Sequence, residues 1–180
     1  SEWRQIGLGV MGLGDMLIKL GVKYGSKQSL CIIEDIMHII AVKAIVESVN
    51  LAKEFGPYPK FSPIITASMF IRNLNLGAGV IEDIKQYGLR NSQLLTCAPT
   101  GSIGTMFQVS TGVELNFRFS YERTTKSLHG EDVTYKVYAP IVEEYKKITG
   151  KEELPDYFVE SQDIDPIDRI NVQAALQKYI

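Results

Sequence analysis

Gln93-Leu94-Leu95-Thr96-Cys97-Ala98-Pro99-Thr100-Gly101-Ser102-Ile103-Gly104-Thr105 changes character at its middle. Gln93 to Ala98 is a short apolar run bounded by turn residues, the pattern of a buried strand. Pro99 to Ser102 is a turn. A strand end followed by a Gly/Ser/Thr turn is where α/β proteins often bind phosphate, because backbone N–H groups left without partners converge there and a following helix adds its positive end. Thr100 and Ser102 add hydroxyl donors. No lysine follows the glycine, so this is not a Walker A loop. No Lys or Arg occurs between Asn91 and Phe117, so a phosphate here would be held by neutral dipoles. The competing reading is an ordinary surface loop.

Upstream, Leu13, Met16, Leu17 and Leu20 recur at helical spacing, and Gly21 closes that helix. Ser26 is placed to cap a long helix over Lys27–Phe55. Leu30, Ile33, Met37, Ile40, Ala44, Leu51 and Phe55 form one apolar face of it. Ile32, Ile36, Ile39, Val42, Val46 and Val49 form another. This pattern predicts a helix roughly 40 Å long, buried between layers, as in the wall of a large barrel. Gly56-Pro57-Tyr58-Pro59 stops it. A shorter helical region covers Pro63 to Asn73, and Val80 to Tyr87 follows a Gly77-Ala78-Gly79 break.

Downstream, Phe117 to Arg123 alternates aromatic and polar residues, as a strand does. Val133 to Tyr138 fits either a strand or a helix start. Pro140 to Ile148 is helical and ends at Gly150. Asp165-Pro166 forms an N-cap and first-turn pair that opens a last helix. The α/β pattern contains no internal repeat and no linker. Residues 1–180 are therefore expected to be a single region without an internal boundary.

Bulk properties exclude several classes. A formal net charge of -2 argues against a nucleic-acid binder driven by bulk charge. The first residues lack a basic stretch followed by an apolar one, so no signal peptide is expected. The longest apolar stretch, Ile32 to Val49, is interrupted by Glu34, Asp35, His38, Lys43 and Glu47, which excludes a membrane span. Cys31 and Cys97 form no C-x-x-C pair and have no clustered histidines, so no metal site is expected. Both are read as small buried hydrophobes in a reducing, cytoplasmic setting. The chain opens one turn before a glycine-rich stretch and ends inside a helical pattern at Tyr179-Ile180, which reads as a piece of a longer protein.

Gly7, Gly9 and Gly12 fit the dinucleotide fingerprint G-x-G-x-x-G. That motif needs a preceding strand and an acidic residue at the end of the next strand, about twenty residues on. Only six residues precede Gly7, and the acidic position falls inside the long helix. The dinucleotide reading is rejected in favour of glycines that allow close strand–helix packing.

Arg4 to Gly25, with Ile6-Gly7-Leu8-Gly9-Val10-Met11-Gly12-Leu13 and Tyr24-Gly25-Ser26, resembles a segment of ribonucleotide reductase catalytic subunits. So does Leu89-Arg90-Asn91-Ser92-Gln93-Leu94-Leu95-Thr96-Cys97-Ala98-Pro99-Thr100-Gly101-Ser102-Ile103, followed by Ser110-Thr111-Gly112-Val113-Glu114. The tail, Ile170-Asn171-Val172-Gln173-Ala174-Ala175-Leu176-Gln177-Lys178-Tyr179-Ile180, is similar to the helix before the family's last barrel segments. Order and spacing match across essentially the whole chain. The tail looks more like the adenosylcobalamin-dependent branch than the diiron one.

The resemblance implies part of a ten-stranded α/β barrel, its later portion, in an enzyme that converts ribonucleotides to deoxyribonucleotides by radical chemistry. It implies that Ala98, Pro99, Thr100, Gly101, Ser102 and Ile103 clasp the substrate's phosphates, and that the complete protein uses adenosylcobalamin. It implies a ribonucleotide substrate and the remainder of the catalytic subunit as partners, is compatible with a homodimer, and gives no role to nucleic acid or membrane. The sequence also departs from the family. The Asn-x-Cys-x-Glu motif of the radical cysteine does not occur here, nor do the substrate-reducing cysteine pair or the C-terminal cysteines. Cys97 stands where a plain apolar residue is expected, and Asn116-Phe117-Arg118 replaces a usually different run after Glu114. No catalytic residue is assigned to this chain, which is expected to be inactive alone. The alternative is a non-catalytic nucleotide-binding or interaction remnant of the family.

Overall fold

Lys27–Phe55 is one helix of 29 residues, α2. Ser26 opens it, its hydroxyl accepting the Ser29 N–H at 3.2 Å, which satisfies one of the amides that a helix start leaves without a partner. At the other end the Arg90 guanidinium donates to the carbonyls of Phe55 and Gly56 at 2.7 and 3.0 Å. A cation there complements the helix dipole. The computed structural model describes residues 2–125 and 133–180. Within them lie α1 (Leu13–Lys19), α2, a 3-10 turn (Pro63–Ala67), α3 (Met69–Asn73), α4 (Ala78–Tyr87), α5 (Gly101–Phe107), β1 (Ser120–Thr125), β2 (Val133–Tyr138), α6 (Pro140–Thr149) and α7 (Pro166–Gln177).

The chain forms two compact units. One comprises the residues up to Gly9 with Leu30–Ala98 and Arg169–Ile180, the other Val10–Ser29 with Pro99–Asp168. Each draws on separated stretches, so no single cut in the sequence divides them.

In the first unit, α2 buries a stripe of Ile33, Met37, Ala41, Ile45, Val49 and Ala52. The spacing of three and four residues keeps these side chains on one face. Ala41, Ile45 and Val49 join Tyr58, Ile71, Leu74, Ile84, Leu89 and Leu95 in one apolar core. The expectation of two buried faces is corrected here. Ile39 and Phe55 are exposed, and Leu30, Ile32, Ile36, Val42 and Val46 are only half-buried. The expected helix over Pro63 to Asn73 is a 3-10 turn followed by α3, broken where Ser68 takes an extended conformation and caps α3 by accepting the Ile71 N–H.

The expected strand over Gln93 to Ala98 is shorter than its apolar run. Leu95 forms an isolated parallel bridge with Leu8. The Gln93 and Leu94 carbonyls accept the Ile6 and Leu8 N–H groups at 3.0 and 2.9 Å, and Leu8 O accepts the Thr96 N–H at 3.0 Å. The six residues before Gly7 are therefore enough to enter an extended pairing. Gly7 and Gly9 serve approach between two extended segments, not between a strand and a helix. A β-carbon on Gly7 would meet Thr96 Cγ2 at 2.9 Å, and one on Gly9 would meet the Thr96 carbonyl oxygen at 3.0 Å.

In the second unit, β1 and β2 pair antiparallel, from Ser120 opposite Tyr138 to Thr125 opposite Val133. The aromatic–polar alternation from Phe117 becomes regular strand only at Ser120, and Val133–Tyr138 is strand. Ile18, Phe119, Ala139, Ile141 and Val142 form a core. Phe158 lies against it, ring to ring with Phe119 at 5.4 Å. Glu160 takes the Phe119 N–H at 2.7 Å and pairs with Arg118 at 2.6 Å. Asp165 caps α7 by accepting the Ile167 N–H at 2.7 Å.

The mixture of helix and strand agrees with an α/β class, but ten strands are not present among the described residues. No helix among them is long and apolar enough to cross a membrane.

Candidate functional site

The turn after Ala98 begins α5. Ala98, Pro99, Gly101, Ser102 and Ile103 are exposed and Thr100 is half-buried. The Gly101 N–H folds back onto the Pro99 carbonyl at 2.8 Å, and the Gly104 N–H reaches the Thr100 carbonyl at 2.7 Å. Between them, the N–H groups of Ser102 and Ile103 have no partner among the described residues. They are two adjacent donors facing solvent at the start of a helical turn, an arrangement suited to an anion's oxygens. The Ser102 hydroxyl stands beside them.

Thr100 plays a double part. Its Oγ1 accepts the Gly112 N–H at 2.7 Å. A hydroxyl keeps one donor when its oxygen accepts, so the Thr100 proton is left to donate. This bond fastens the turn to the loop over Val109–Gly112. Gly104 holds the same loop closely, since a β-carbon there would lie 3.1 Å from Thr111 Cγ2 and 3.2 Å from the Val109 carbonyl oxygen. Gly101 has nothing within 4 Å of such a carbon. The glycine that packing requires is thus Gly104, and Gly101 opens onto free space.

The loop is held in turn by α1. Asp15 is 6% exposed. Its Oδ2 accepts the Ser110 backbone N–H at 2.8 Å, and its Oδ1 accepts Asn116 Nδ2 at 2.7 Å. The Asp15 N–H returns a bond to Ser110 Oγ at 3.2 Å. The Gly12 N–H takes the Ser110 carbonyl at 2.8 Å, and the Tyr24 hydroxyl donates to the Val113 carbonyl at 2.9 Å. Sequence reasoning missed Asp15, Gly104 and Asn116 as a set. The one available signal was an aspartate among the apolar residues of a helix's first turn.

The expectation that both cysteines are buried is overturned, because Cys31 and Cys97 are both exposed. Cys31 sits on the outer side of α2, away from its buried stripe. Cys97 follows the last paired residue of its extended segment. Neighbouring atoms still shield its sulfur, and that desolvation pushes the thiol pKa up. Among the described residues no cluster of three His, Cys, Asp or Glu side chains is placed to hold a metal ion.

A family model described as "ribonucleotide reductase, barrel domain" matches residues 1–180. The chain is 31% identical to a Thermoplasma acidophilum protein named vitamin B12-dependent ribonucleoside-diphosphate reductase, over 98% of this chain and 23% of that one. It is 32% identical to a Mycobacterium tuberculosis protein of the same name, over 70% of this chain and 16% of the relative. It is 31% identical to the ribonucleoside-diphosphate reductase subunit alpha of Chlamydia muridarum, over 81% of this chain and 16% of that subunit. The chain thus spans between about a sixth and a quarter of the length of these relatives.

Proposed function

Because the chain belongs to the ribonucleotide reductase barrel-domain family, we propose that it is the later part of a catalytic barrel that reduces ribonucleotides, and that Ala98, Pro99, Thr100, Gly101, Ser102 and Ile103 bind the substrate's phosphates. The observation that carries this reading is the pair of unpartnered amides at Ser102 and Ile103 beside two hydroxyls. The phosphate oxygens would accept from those amides, from Ser102 Oγ and from the free proton of Thr100. Hydrogen bonds to a charged acceptor contribute about 1.5–3 kcal/mol each, so a few neutral donors suffice without an ionic contact. The relatives' names point to a diphosphate, with two phosphates for the turn to hold.

In this reading residues 1–180 are one continuous region of a ten-stranded barrel in a cytoplasmic enzyme. The remainder of the subunit supplies the radical cysteine and its reductants, so the isolated chain forms no deoxynucleotide. The names of the Thermoplasma and Mycobacterium relatives support adenosylcobalamin as the cofactor of the complete protein, where it would supply the initiating radical. Among the described residues none is assigned to hold it. His38 Nε2 is engaged by the Leu74 carbonyl at 2.9 Å, and the other histidine, His129, lies outside the described residues.

The test compares binding of a ribonucleoside diphosphate and its unphosphorylated nucleoside to the complete protein. Ser102→Ala should weaken the diphosphate by roughly tenfold, since 1.4 kcal/mol is one decade, and leave the nucleoside unchanged. Equal losses for both ligands would remove the phosphate assignment.

A further inference from the structure

We infer that Asp15 is a positioning residue for phosphate recognition, acting through the Val109–Gly112 loop on the hydroxyl of Thr100. The inference rests on the phosphate reading of Ala98–Ile103 and adds to it a residue far away in sequence. Two donors converge on a buried carboxylate, the Ser110 N–H at 2.8 Å on Oδ2 and Asn116 Nδ2 at 2.7 Å on Oδ1. Two residues beyond Ser110, the Gly112 N–H donates to Thr100 Oγ1 at 2.7 Å. The carboxylate and the hydroxyl are thus joined through one short stretch of backbone.

The geometry assigns a direction to each group. With the oxygen of Thr100 held as an acceptor by Gly112, rotation about its Cβ–Oγ1 bond carries the hydroxyl proton only to positions away from that N–H. The loop therefore fixes where Thr100 can donate. The loop's own place depends on Asp15, because a carboxylate accepts on both oxygens at once. A leucine of the same size accepts on neither side, so the Ser110 N–H and the Asn116 amide both lose their acceptor. The Gly12 N–H on the Ser110 carbonyl at 2.8 Å still keeps the loop near α1, so the change displaces the loop without releasing it. The cost should appear as misalignment at Thr100.

Asparagine keeps the pattern: in Asp15→Asn the side-chain oxygen accepts from Ser110 and the NH2 donates to Asn116 Oδ1 once that amide turns over. A purely packing role for Asp15 predicts instead that leucine serves as well as asparagine.

The experiment uses the complete protein and measures dissociation constants for a ribonucleoside diphosphate and its nucleoside, the quotient being the phosphate discrimination. Asp15→Leu should lower it by roughly two- to tenfold, the effect of one hydrogen bond misaligned, with the nucleoside unaffected. Asp15→Asn should keep it. Thr100→Val should lower it similarly and Thr100→Ser should keep it, and Asp15→Leu added to Thr100→Val should cost little more, as expected for groups in one network. If Ser102→Ala lowers discrimination while Asp15→Leu does not, the inference about Asp15 is wrong and the phosphate reading stands. If Ser102→Ala has no effect, both fall. Should Asp15→Leu fail to fold, Asp15→Ala and Thr100→Val decide. Full discrimination in Thr100→Val or in a folded Asp15→Ala, or none in a folded Asp15→Asn, overturns the inference.

Discussion

Gly9 and Thr96 approach backbone to backbone: a β-carbon on Gly9 would stand 3.0 Å from the Thr96 carbonyl oxygen. The contact at Gly7 differs in kind, because there the obstructing atom is a side-chain methyl, Thr96 Cγ2, at 2.9 Å. What resembles a dinucleotide fingerprint in the sequence is, in the folded chain, a requirement for two extended segments to lie close.

The difference between the two glycines gives the first prediction. Gly7→Ala should destabilise the complete protein, and Thr96→Ser should restore much of the loss by removing the methyl. Gly9→Ala should cost about 1–3 kcal/mol, the usual range for overpacking, and Thr96→Ser should not help. Denaturant midpoints of the singles and doubles check this. Equal rescue of both would show that the close approach is not the one described.

Gly101 and Gly104 should separate binding from stability. A valine at Gly101 meets open space within its own fold, so Gly101→Val should melt near the parent temperature yet lose diphosphate binding. Gly104→Ala pushes on Thr111 and the Val109 carbonyl and should lower the melting temperature. A Gly101→Val protein that binds normally would show that no ligand passes over that residue.

Asp15→Ala leaves the Ser110 N–H and the Asn116 amide without their acceptor. A buried donor left unsatisfied costs about 1–3 kcal/mol; Ser110 is buried and Asn116 half-buried with access to water, so a loss of roughly 1–3 kcal/mol is expected. Urea unfolding of the complete protein measures it. A loss under half a kilocalorie would mean that water replaces the carboxylate without penalty.

Cys97 should titrate above the ordinary thiol range, because desolvation disfavours its thiolate. The folded protein then holds this proton more tightly than the unfolded chain. Its contribution to stability is present below the unfolded pKa and declines as pH rises from there through the folded value. Alkylation rates of Cys97 against pH, followed on its own peptide in the complete protein, should give a higher midpoint in buffer than in urea. Coincident midpoints would contradict the shielding.

The sequence by itself determined the features that are local. Helix α2 was legible from end to end because its periodicity, the Ser26 cap and the Gly56-Pro57 stop all lie within neighbouring residues. The same holds for α6 with its Gly150 ending and α7 with its Asp165 cap. The Pro99–Ser102 turn was legible as a motif, and the order of three motifs pointed to the family. Tertiary structure decided the rest. Which face of α2 is buried depends on what packs on it, so Ile39 and Phe55 could be apolar, periodic and still exposed. Cys31 and Cys97 are exposed for the same reason. Asp15 and Ser110 are 95 residues apart, and a hydrogen bond across that distance leaves no periodic trace. Its partner is set by how the chain returns on itself, which a window of neighbouring residues does not contain.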